Sequence, residues 1–370
     1  MGHSKRIEVL DGLRVIAILM VMLFHYYSYF EGTYYHYNAP RILHYGSLGV
    51  QLFFIISGFV ISMTLTSSLN FIQFMKKRLI RLFPGMLICS CITFTIFLLF
   101  DTNNLIPSSK NVYNLILSNT FLPPALVNKL LSSNLRYIDP PYWSLWVEIQ
   151  FYIVSGIIFF LSPKNYLRNY GFFTLITFSV YILVQSKYSI NIEPVALRYK
   201  IGYLIDTFSL VKNNLWFLAG IVVYKMYTGE NKKLIYLLLL IFAVQLILMD
   251  DLYAKAITAS FLIFFIFFIY KRDAIAFLSK KWISKIGVAS YSIYLIHQNI
   301  GLLIIYNTTK YLGSFQYIVP IFLIGMFTAF GLISYKYFES YLSKRLKVLL
   351  FAAKVPLSDL KTAESSNVER

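Results

Sequence analysis

Long apolar runs separated by short polar segments recur along this chain from residue 9 to residue 338. Each run is close to the ~20 residues that an α-helix needs to cross the hydrocarbon core of a bilayer. The pattern predicts ten membrane-spanning helices, over residues 9–30, 48–66, 84–100, 143–162, 171–186, 208–227, 234–249, 254–270, 287–306 and 316–338. The fifth, seventh and eighth runs are short, and Lys212 with Asn213 and Asn214 interrupts the sixth. We therefore predict an all-α, polytopic membrane protein of about ten transmembrane helices.

The composition agrees with this fold class and narrows the possible partners. Of the 370 residues, 58% are hydrophobic and only 14% are charged, whereas soluble domains carry about 25% charged residues. The formal net charge is +18, which in a soluble protein would suggest nucleic-acid binding. In a membrane protein the basic residues must first be assigned to loops.

The Lys and Arg residues alternate in density from loop to loop. With ten spans, 23 of them lie on the side that carries both termini and ten on the opposite side, with one more inside the first span. Cytoplasmic loops of membrane proteins carry such an excess. We therefore predict that both termini are cytoplasmic and that the net charge reflects membrane topology, with no nucleic-acid partner.

Residues 1–345 form one predicted transmembrane domain. Its longest segment between spans, 101–142, lies on the outer side and contains an apolar stretch, Val112–Leu122, that predicts a short interfacial or re-entrant helix. Residues 346–370 turn polar, and we expect a disordered cytoplasmic tail there.

Two ionisable side chains, Arg14 and His25, lie inside the first apolar run. They are eleven residues apart, so both lie on nearly the same helix face, about 16 Å apart along the axis. Ionisable groups at membrane depth usually face a protein interior or a polar cavity and serve function. The alternative is structural, with Arg14 paired to Asp11 and His25 bonded to a neighbouring helix. Because histidine exchanges protons near neutral pH, His25 is a candidate general base.

A basic cluster precedes the third apolar run. Arg78 and Arg81 are three residues apart, so their guanidinium groups can point together and bind a polyphosphate through paired hydrogen bonds. The same cluster also fits ordinary topogenic charge, because basic residues at helix ends orient membrane helices.

The fourth run carries a carboxylate and aromatic side chains near the outer surface. Glu148 lies about one turn inside the membrane, at the depth of His25, so a pair in which the carboxylate orients the imidazole is possible. Trp143 and Tyr152 flank Glu148 and fit either an aromatic belt at the membrane interface or a substrate-binding surface.

Two further features lie at membrane depth. Ser57-Gly58 in the second run is typical of a close helix crossing. A second histidine, His297, lies in the outer half of the ninth run, where a structural role and a functional role are both open.

These motifs, taken in order, resemble the acyltransferase-3 family of integral-membrane acyltransferases, which includes bacterial O-antigen acetylases. The series covers about residues 7–340 and consists of Leu10-Asp11-Gly12-Leu13-Arg14 with His25, Phe53–Phe59, Arg78-x-x-Arg81 before Pro84, Trp143–Glu148 with Phe151-Tyr152, and Ser290–His297. Each motif is short, but their order along the predicted spans is specific.

The resemblance implies transfer of an acyl group, usually acetyl, from cytoplasmic acyl-coenzyme A to a sugar hydroxyl, often of a cell-surface glycan. The histidine matching His25 is the family's essential catalytic residue, Arg14 matches the arginine that accompanies it, and the Arg78–Arg81 pair matches residues associated with the coenzyme. A second Glu is common in the family, and its position here is Ile149. The resemblance further implies a bacterial inner-membrane protein, and we expect a stand-alone acyltransferase domain.

Family resemblance and helix geometry together predict the site. The phosphates of acetyl-coenzyme A, a co-substrate, would lie near Arg78 and Arg81, with the pantetheine arm passing Arg14 and the thioester near His25. Glu148 would support His25 as general base. The acceptor, a sugar or a lipid-linked glycan, would contact Trp143, Tyr152 and His297. No metal is expected.

Other functions fit parts of the pattern. A transporter of a small acid or a glycan-lipid would move substrate without acyl-coenzyme A, and the sequence shows no internal repeat of the kind many transporters have. A purely structural membrane protein would leave the Arg14–His25 stripe unexplained. Among enzymes, a lipid or a secondary metabolite remains an alternative acceptor.

Overall fold

The regular structure of the protein is helical. The computed structural model describes residues 6–33, 35, 37–185 and 202–351. In chain order the α-helices are α1 (Glu8–Phe24), α2 (Gly49–Thr66), α3 (Phe71–Phe100), α4 (Val112–Ser118), α5 (Pro124–Leu131), α6 (Trp143–Leu161), α7 (Tyr166–Gln185), α8 (Leu210–Tyr227), α9 (Leu234–Ile247), α10 (Leu252–Tyr270), α11 (Lys281–Leu312), α12 (Ile318–Ile333) and α13 (Ser340–Phe351). Short 3-10 or π-helical turns join several of them.

The predicted all-α, polytopic membrane fold is confirmed. Eight helical segments of the described ranges are long and apolar enough to cross a bilayer: Glu8–Tyr29, Arg41–Thr66, Phe71–Phe100, Pro140–Leu161, Pro163–Val184, Leu252–Tyr270, Lys281–Thr309 and Phe315–Phe351. The sixth and seventh predicted spans correspond to α8 and α9, which are helical but fall outside this set. The count of ten spans and the cytoplasmic termini stay predictions.

Helix α8 carries polar side chains that lipid would not accommodate. It can do so because the rest of the protein surrounds it. Most of its side chains are buried, including the Asn pair that interrupts the apolar run. The Asn214 side chain accepts a hydrogen bond from the Tyr170 hydroxyl and donates one to Thr177, at 2.7 and 3.0 Å. A buried amide needs such partners, since leaving it unpaired in an apolar interior is costly.

Glycines set the closest helix crossings. Helices α2 and α8 meet at Gly58 and Gly220, where an added Cβ atom would lie 2.2 Å from the Phe217 oxygen and 2.0 Å from the Ile55 oxygen, respectively. The interpretation of Ser57-Gly58 as a close crossing is therefore confirmed. Small residues at such contacts let two backbones approach and pack in the membrane.

The outer segment 101–142 folds into short helices against the bundle. Helix α4 lies where Val112–Leu122 predicted an interfacial helix. The segment is held to α11 by the Asn299 amide, which donates hydrogen bonds to the Ser109 hydroxyl and to the Ile138 carbonyl.

The C-terminal boundary differs from the predicted one at residue 345. Helix α13 continues to Phe351, so residues 346–351 are helical rather than part of a disordered tail. Two contacts with α3 explain this continuation: Lys76 donates to the Leu350 carbonyl at 2.7 Å, and Ser343 donates to the Ile80 carbonyl. The rest of the predicted tail, 352–370, lies outside the described residues.

Candidate active site

A cavity of about 370 Å³ lies inside the bundle, between α1, α2, α3, α6 and α11. Its wall is mainly apolar and aromatic. The charged residues that line it are Arg6, Asp11, Arg14, Arg78, Arg81 and Glu148. Four arginines therefore face two carboxylates, and the lining carries a surplus of two positive charges. Such a surplus in a low-dielectric interior favours an anionic ligand.

Asp11 organises one end of the cavity. Its buried carboxylate accepts hydrogen bonds from Arg14 Nη1 at 2.8 Å, Arg6 Nε at 2.7 Å and the Ser284 hydroxyl at 3.2 Å. The Arg14–Asp11 pair considered in the sequence is thus present. Arg14 also lines the cavity. The residue can therefore serve both as the ion-pair partner of Asp11 and as part of a functional site.

Arg78 and Arg81 reach the same cavity from α3. Arg78 donates from Nη2 to the Thr64 hydroxyl at 3.0 Å, while its buried Nε has no hydrogen-bond partner among the described residues. Arg81 contacts the Val288 carbonyl and lies 3.8 Å from Glu339 Oε2. Topogenic charge stays in the aqueous loops, so it does not account for guanidinium groups that line an interior cavity.

Glu148 faces these arginines. It accepts a 2.7 Å hydrogen bond from the Ser57 hydroxyl and interacts electrostatically with Arg14 and Arg78. The expected contact with His25 is not formed. Depth in the membrane made that pair possible, but Glu148 on α6 is bonded to Ser57 on α2 and lines the cavity, whereas His25 lies outside the cavity lining.

His25 pairs with His297 instead. His25 Nδ1 lies 2.9 Å from His297 Nε2, and the ring centroids are 4.9 Å apart. His25 begins a π-helical turn, His25–Tyr29, that continues α1. His297 Nδ1 lies 2.8 Å from the carbonyl oxygen of Tyr294, and the Tyr294 side chain lines the cavity. The histidine pair therefore lies behind the cavity wall, and the exposed ring of Tyr29 packs edge-on against His25.

The three residues expected to contact the acceptor are placed differently from one another. Tyr152 lines the cavity beside Glu148. His297 is fully buried against His25. Trp143 is 41% exposed and packs edge-on against Phe54, outside the cavity lining. Its environment fits the aromatic-belt alternative.

Several cavity residues carried no functional assignment from the sequence. Arg6 was indistinguishable from loop charge because it precedes the first apolar run, and Ser57 was assigned only to helix packing. Tyr291 and Tyr294 lie within a quoted motif, but nothing in their spacing separated them from other membrane tyrosines. The described residues contain no group of three or more His, Cys, Asp or Glu side chains arranged to hold a metal ion.

A family profile described as an acyltransferase domain matches residues 7–338. The chain belongs to the acyltransferase-3 family. The match includes every residue of the cavity lining except Arg6, and both histidines of the pair. The resemblance drawn from the ordered motifs is therefore confirmed, and with it an integral membrane protein of this family.

Two relatives illustrate the similarity. The O-acetyltransferase OatA of Staphylococcus aureus is 26% identical over 381 aligned residues, which cover 93% of this chain and 58% of that protein. An O-acetyl transferase of Shigella phage Sf6 is 29% identical over 152 residues, 40% of this chain and 44% of the phage protein. The chain thus spans less than two thirds of the length of the OatA relatives. No solved structure matches it significantly.

Proposed function

We propose that this protein is a membrane O-acyltransferase that moves an acyl group, acetyl in the first instance, from cytoplasmic acyl-coenzyme A to a hydroxyl of a sugar in a cell-surface glycan. One observation carries the proposal. A cavity lined by four arginines is also lined by Tyr294, whose backbone carbonyl contacts the His25–His297 pair. The printed names of the relatives, O-acetyltransferase and O-acetyl transferase, support an oxygen acceptor.

The arginine end of the cavity suits the donor. Guanidinium groups bind phosphates through two parallel hydrogen bonds, and Arg78 has an unpaired buried Nε available for one of them. The cavity, at about 370 Å³, is near the lower limit of small-molecule sites. It suits the slender pantetheine arm and acyl group of the donor, while the nucleotide end stays near the arginines.

The histidine end suits proton transfer. His25 as general base takes the proton of the acceptor hydroxyl, the oxygen bonds to the acyl carbon, and the carbon–sulfur bond of the thioester breaks. The proton then passes from His25 to the departing thiolate, so that atoms and charge balance. Arg14 lies along the donor path on the same helix as His25, where its charge favours the anionic coenzyme.

The membrane orientation follows from the same proposal. With both termini in the cytoplasm, the start of α3 and its arginines face the cytoplasmic acyl-coenzyme A pool, and the His25–Tyr29 turn faces the outer side, where a lipid-linked or polymeric glycan is accessible. The family and its bacterial and phage relatives support the bacterial inner (plasma) membrane as the proposed location.

The test compares surface polysaccharide from a deletion strain complemented with wild type, His25→Ala or His44→Ala. His44 is exposed and lies outside the cavity lining, so its variant is the matched control. We expect base-labile acetate with wild type and His44→Ala, and none with His25→Ala at equal protein level in the membrane.

Three other results would contradict the proposal. Full activity of His25→Ala would show that His25 is not the general base. Equal acetate in the deletion and wild-type strains would exclude the surface glycan as the acceptor. The purified protein would then be assayed with labelled acetyl-coenzyme A against lipids and small alcohols. Substrate movement across vesicles without acyl-coenzyme A would identify a transporter.

A further inference from the structure

The hydrogen bonds of the histidine pair fix where its protons lie. His297 Nδ1 is 2.8 Å from the Tyr294 carbonyl oxygen, which can only accept, so Nδ1 of His297 carries a proton. In the neutral ring Nε2 of His297 is then an acceptor. The 2.9 Å contact between His297 Nε2 and His25 Nδ1 therefore requires that His25 Nδ1 is the donor. His25 Nε2 then carries no proton, and the further hydrogen bond from the His25 ring to the Val21 backbone must also come from Nδ1–H.

We propose that His297 is a positioning residue that holds His25 in the Nδ1–H tautomer, so that Nε2 of His25 is the general base. This inference rests on the proposed function, because it concerns the same proton transfer. It gives His297 a role other than contact with the acceptor. A carboxylate commonly orients a catalytic imidazole, but in this protein the carboxylate that the sequence suggested for that role, Glu148, is bonded to Ser57.

The surroundings of His297 suit a rigid orienting group. Its side chain is fully buried, and its own carbonyl accepts a 2.9 Å hydrogen bond from the Tyr26 hydroxyl. Tyr26 in turn fills the space beside Gly301, where an added Cβ atom would lie 2.4 Å from the tyrosine ring. Tyr26 therefore packs against α11 at His297 and at the next turn, which holds His297 in place as a partner for His25.

A neutral partner also suits the charge that develops during the reaction. When His25 accepts the acceptor's proton it becomes an imidazolium, and its Nδ1–H still points at the His297 lone pair. The hydrogen bond then involves a charged donor, and such bonds are roughly twice as strong as neutral ones. His297 thus favours the protonated intermediate without adding a permanent charge at this depth of the membrane.

The experiment uses two amide variants of His297 in the purified full chain. His297→Gln can place an oxygen near the original Nε2 position and accept from His25, whereas His297→Asn reaches only the Nδ1 position. We expect kcat of His297→Asn to fall by at least about tenfold, because general-base catalysis depends on the correct tautomer. KM for acetyl-coenzyme A should change less than twofold, and His297→Gln should recover most of the lost rate.

The outcomes separate this inference from the proposed function. If His297→Asn folds and keeps the wild-type kcat while His25→Ala is inactive, the positioning role is wrong and the proposed function stands. If His25→Ala is itself active, both fail. Equal losses in the Asn and Gln variants would indicate a merely structural role.

A direct measurement covers the case in which His297→Asn does not fold. Nitrogen chemical shifts of ¹⁵N-histidine-labelled wild type, assigned by comparison with His25→Ala, distinguish a protonated Nδ1 from a protonated Nε2. A neutral His25 protonated at Nδ1 supports the inference. Protonation at Nε2 overturns it.

Discussion

At the scale of single residues, the four arginines that line the cavity differ in their hydrogen-bond and ion-pair partners. Arg6 and Arg14 are paired with Asp11, and Arg81 lies near Glu339. Arg78 has a buried Nε with no hydrogen-bond partner among the described residues. A buried donor that is shielded from water and unpaired gains most from a hydrogen bond to a ligand. Arg78 is therefore the residue whose loss should affect donor binding most.

Replacing Arg78 and Arg81 by Gln should raise KM for acetyl-coenzyme A at least about tenfold, because charge-assisted bonds to phosphate are lost. At saturating donor, kcat should change only a few-fold. Lys at both positions should restore part of the affinity, since an ammonium group supplies charge without the planar fork. Donor titration of the purified protein measures these effects.

The matched control for the arginine pair is Lys77→Gln, which removes a neighbouring charge outside the cavity lining. Two results together would contradict this prediction: unchanged donor affinity in the Arg78/Arg81 double variant, and altered membrane insertion in both the double variant and Lys77→Gln. The basic cluster would then serve only to orient the helices in the membrane.

Glu148→Gln removes a negative charge beside Arg14 and Arg78 while keeping an oxygen for the Ser57 hydroxyl. We expect free coenzyme A to bind about fivefold more tightly, since the cavity becomes more positive. Turnover should fall because this product then leaves more slowly. Product inhibition and pre-steady-state kinetics measure both.

Glu230→Gln serves as the control for this change, because Glu230 is exposed and paired with Lys225 outside the cavity. Weaker coenzyme binding in Glu148→Gln would show that the carboxylate orients the arginines more than it offsets their charge.

At the scale of elements, the junction between the outer segment and α11 contains a buried acid. Asp139 is fully buried, its Oδ1 has no partner among the described residues, and Oδ2 accepts only a 3.3 Å bond from the Asn299 backbone N–H. Burial raises the pKa of the Asp139 carboxyl well above its ordinary range. Folding therefore favours the protonated acid at this junction.

The sign of the pH dependence follows directly. A raised folded-state pKa stabilises the protein fully below the ordinary pKa of Asp, and this contribution is lost as the pH rises towards the folded-state pKa. Asp139→Asn should abolish that loss, so its thermal midpoint in detergent should exceed the wild-type value near pH 7 and vary less with pH.

Asp251→Asn is the control, because the pKa of Asp251 is shifted in the opposite direction to that of Asp139. A hydrogen bond from Tyr45 lowers the pKa of the half-buried Asp251 carboxyl, and Arg41 pairs with it at 2.8 Å. Its replacement should not raise the thermal midpoint near pH 7. A lower midpoint for Asp139→Asn than for wild type near pH 7 would show that Asp139 is stabilising in its charged form.

At the scale of the whole molecule, the bundle joins two chemically different regions across the membrane. The arginines of α1 and α3 line the cavity, and the histidine pair adjoins it through the Tyr294 carbonyl of α11. The buried α8 packs on α2 through glycines and holds the cavity wall in place. In the proposed function, the donor and the acceptor approach this site from opposite sides of the membrane.

The orientation is testable by cysteine labelling of intact cells. Ser132→Cys in the outer segment should react with a membrane-impermeant maleimide, whereas Ser67→Cys in the α2–α3 loop should react only after permeabilisation. Both positions are exposed, and a Cys91→Ser background removes the exposed native thiol. The reversed pattern would invert the predicted topology and place the arginines on the outer side.

The sequence alone determined the helical membrane class, because hydropathy acts over ~20 consecutive residues and needs no knowledge of the partners of each helix. The order of short motifs likewise determined the family. It also determined that Arg14, Arg78, Arg81, Glu148 and Tyr152 are site candidates, and the structure gathers these five around one cavity.

Only the tertiary structure decided which side chains touch. Glu148 and His25 share a depth, but helix rotation directs one to Ser57 and the other to His297. The π-helical turn beginning at His25 departs from the 100° spacing that sequence periodicity assumes. Rotation and crossing angle arise from packing between helices distant in the chain, such as the Gly58–Gly220 contact. A pattern read along one segment does not contain that information.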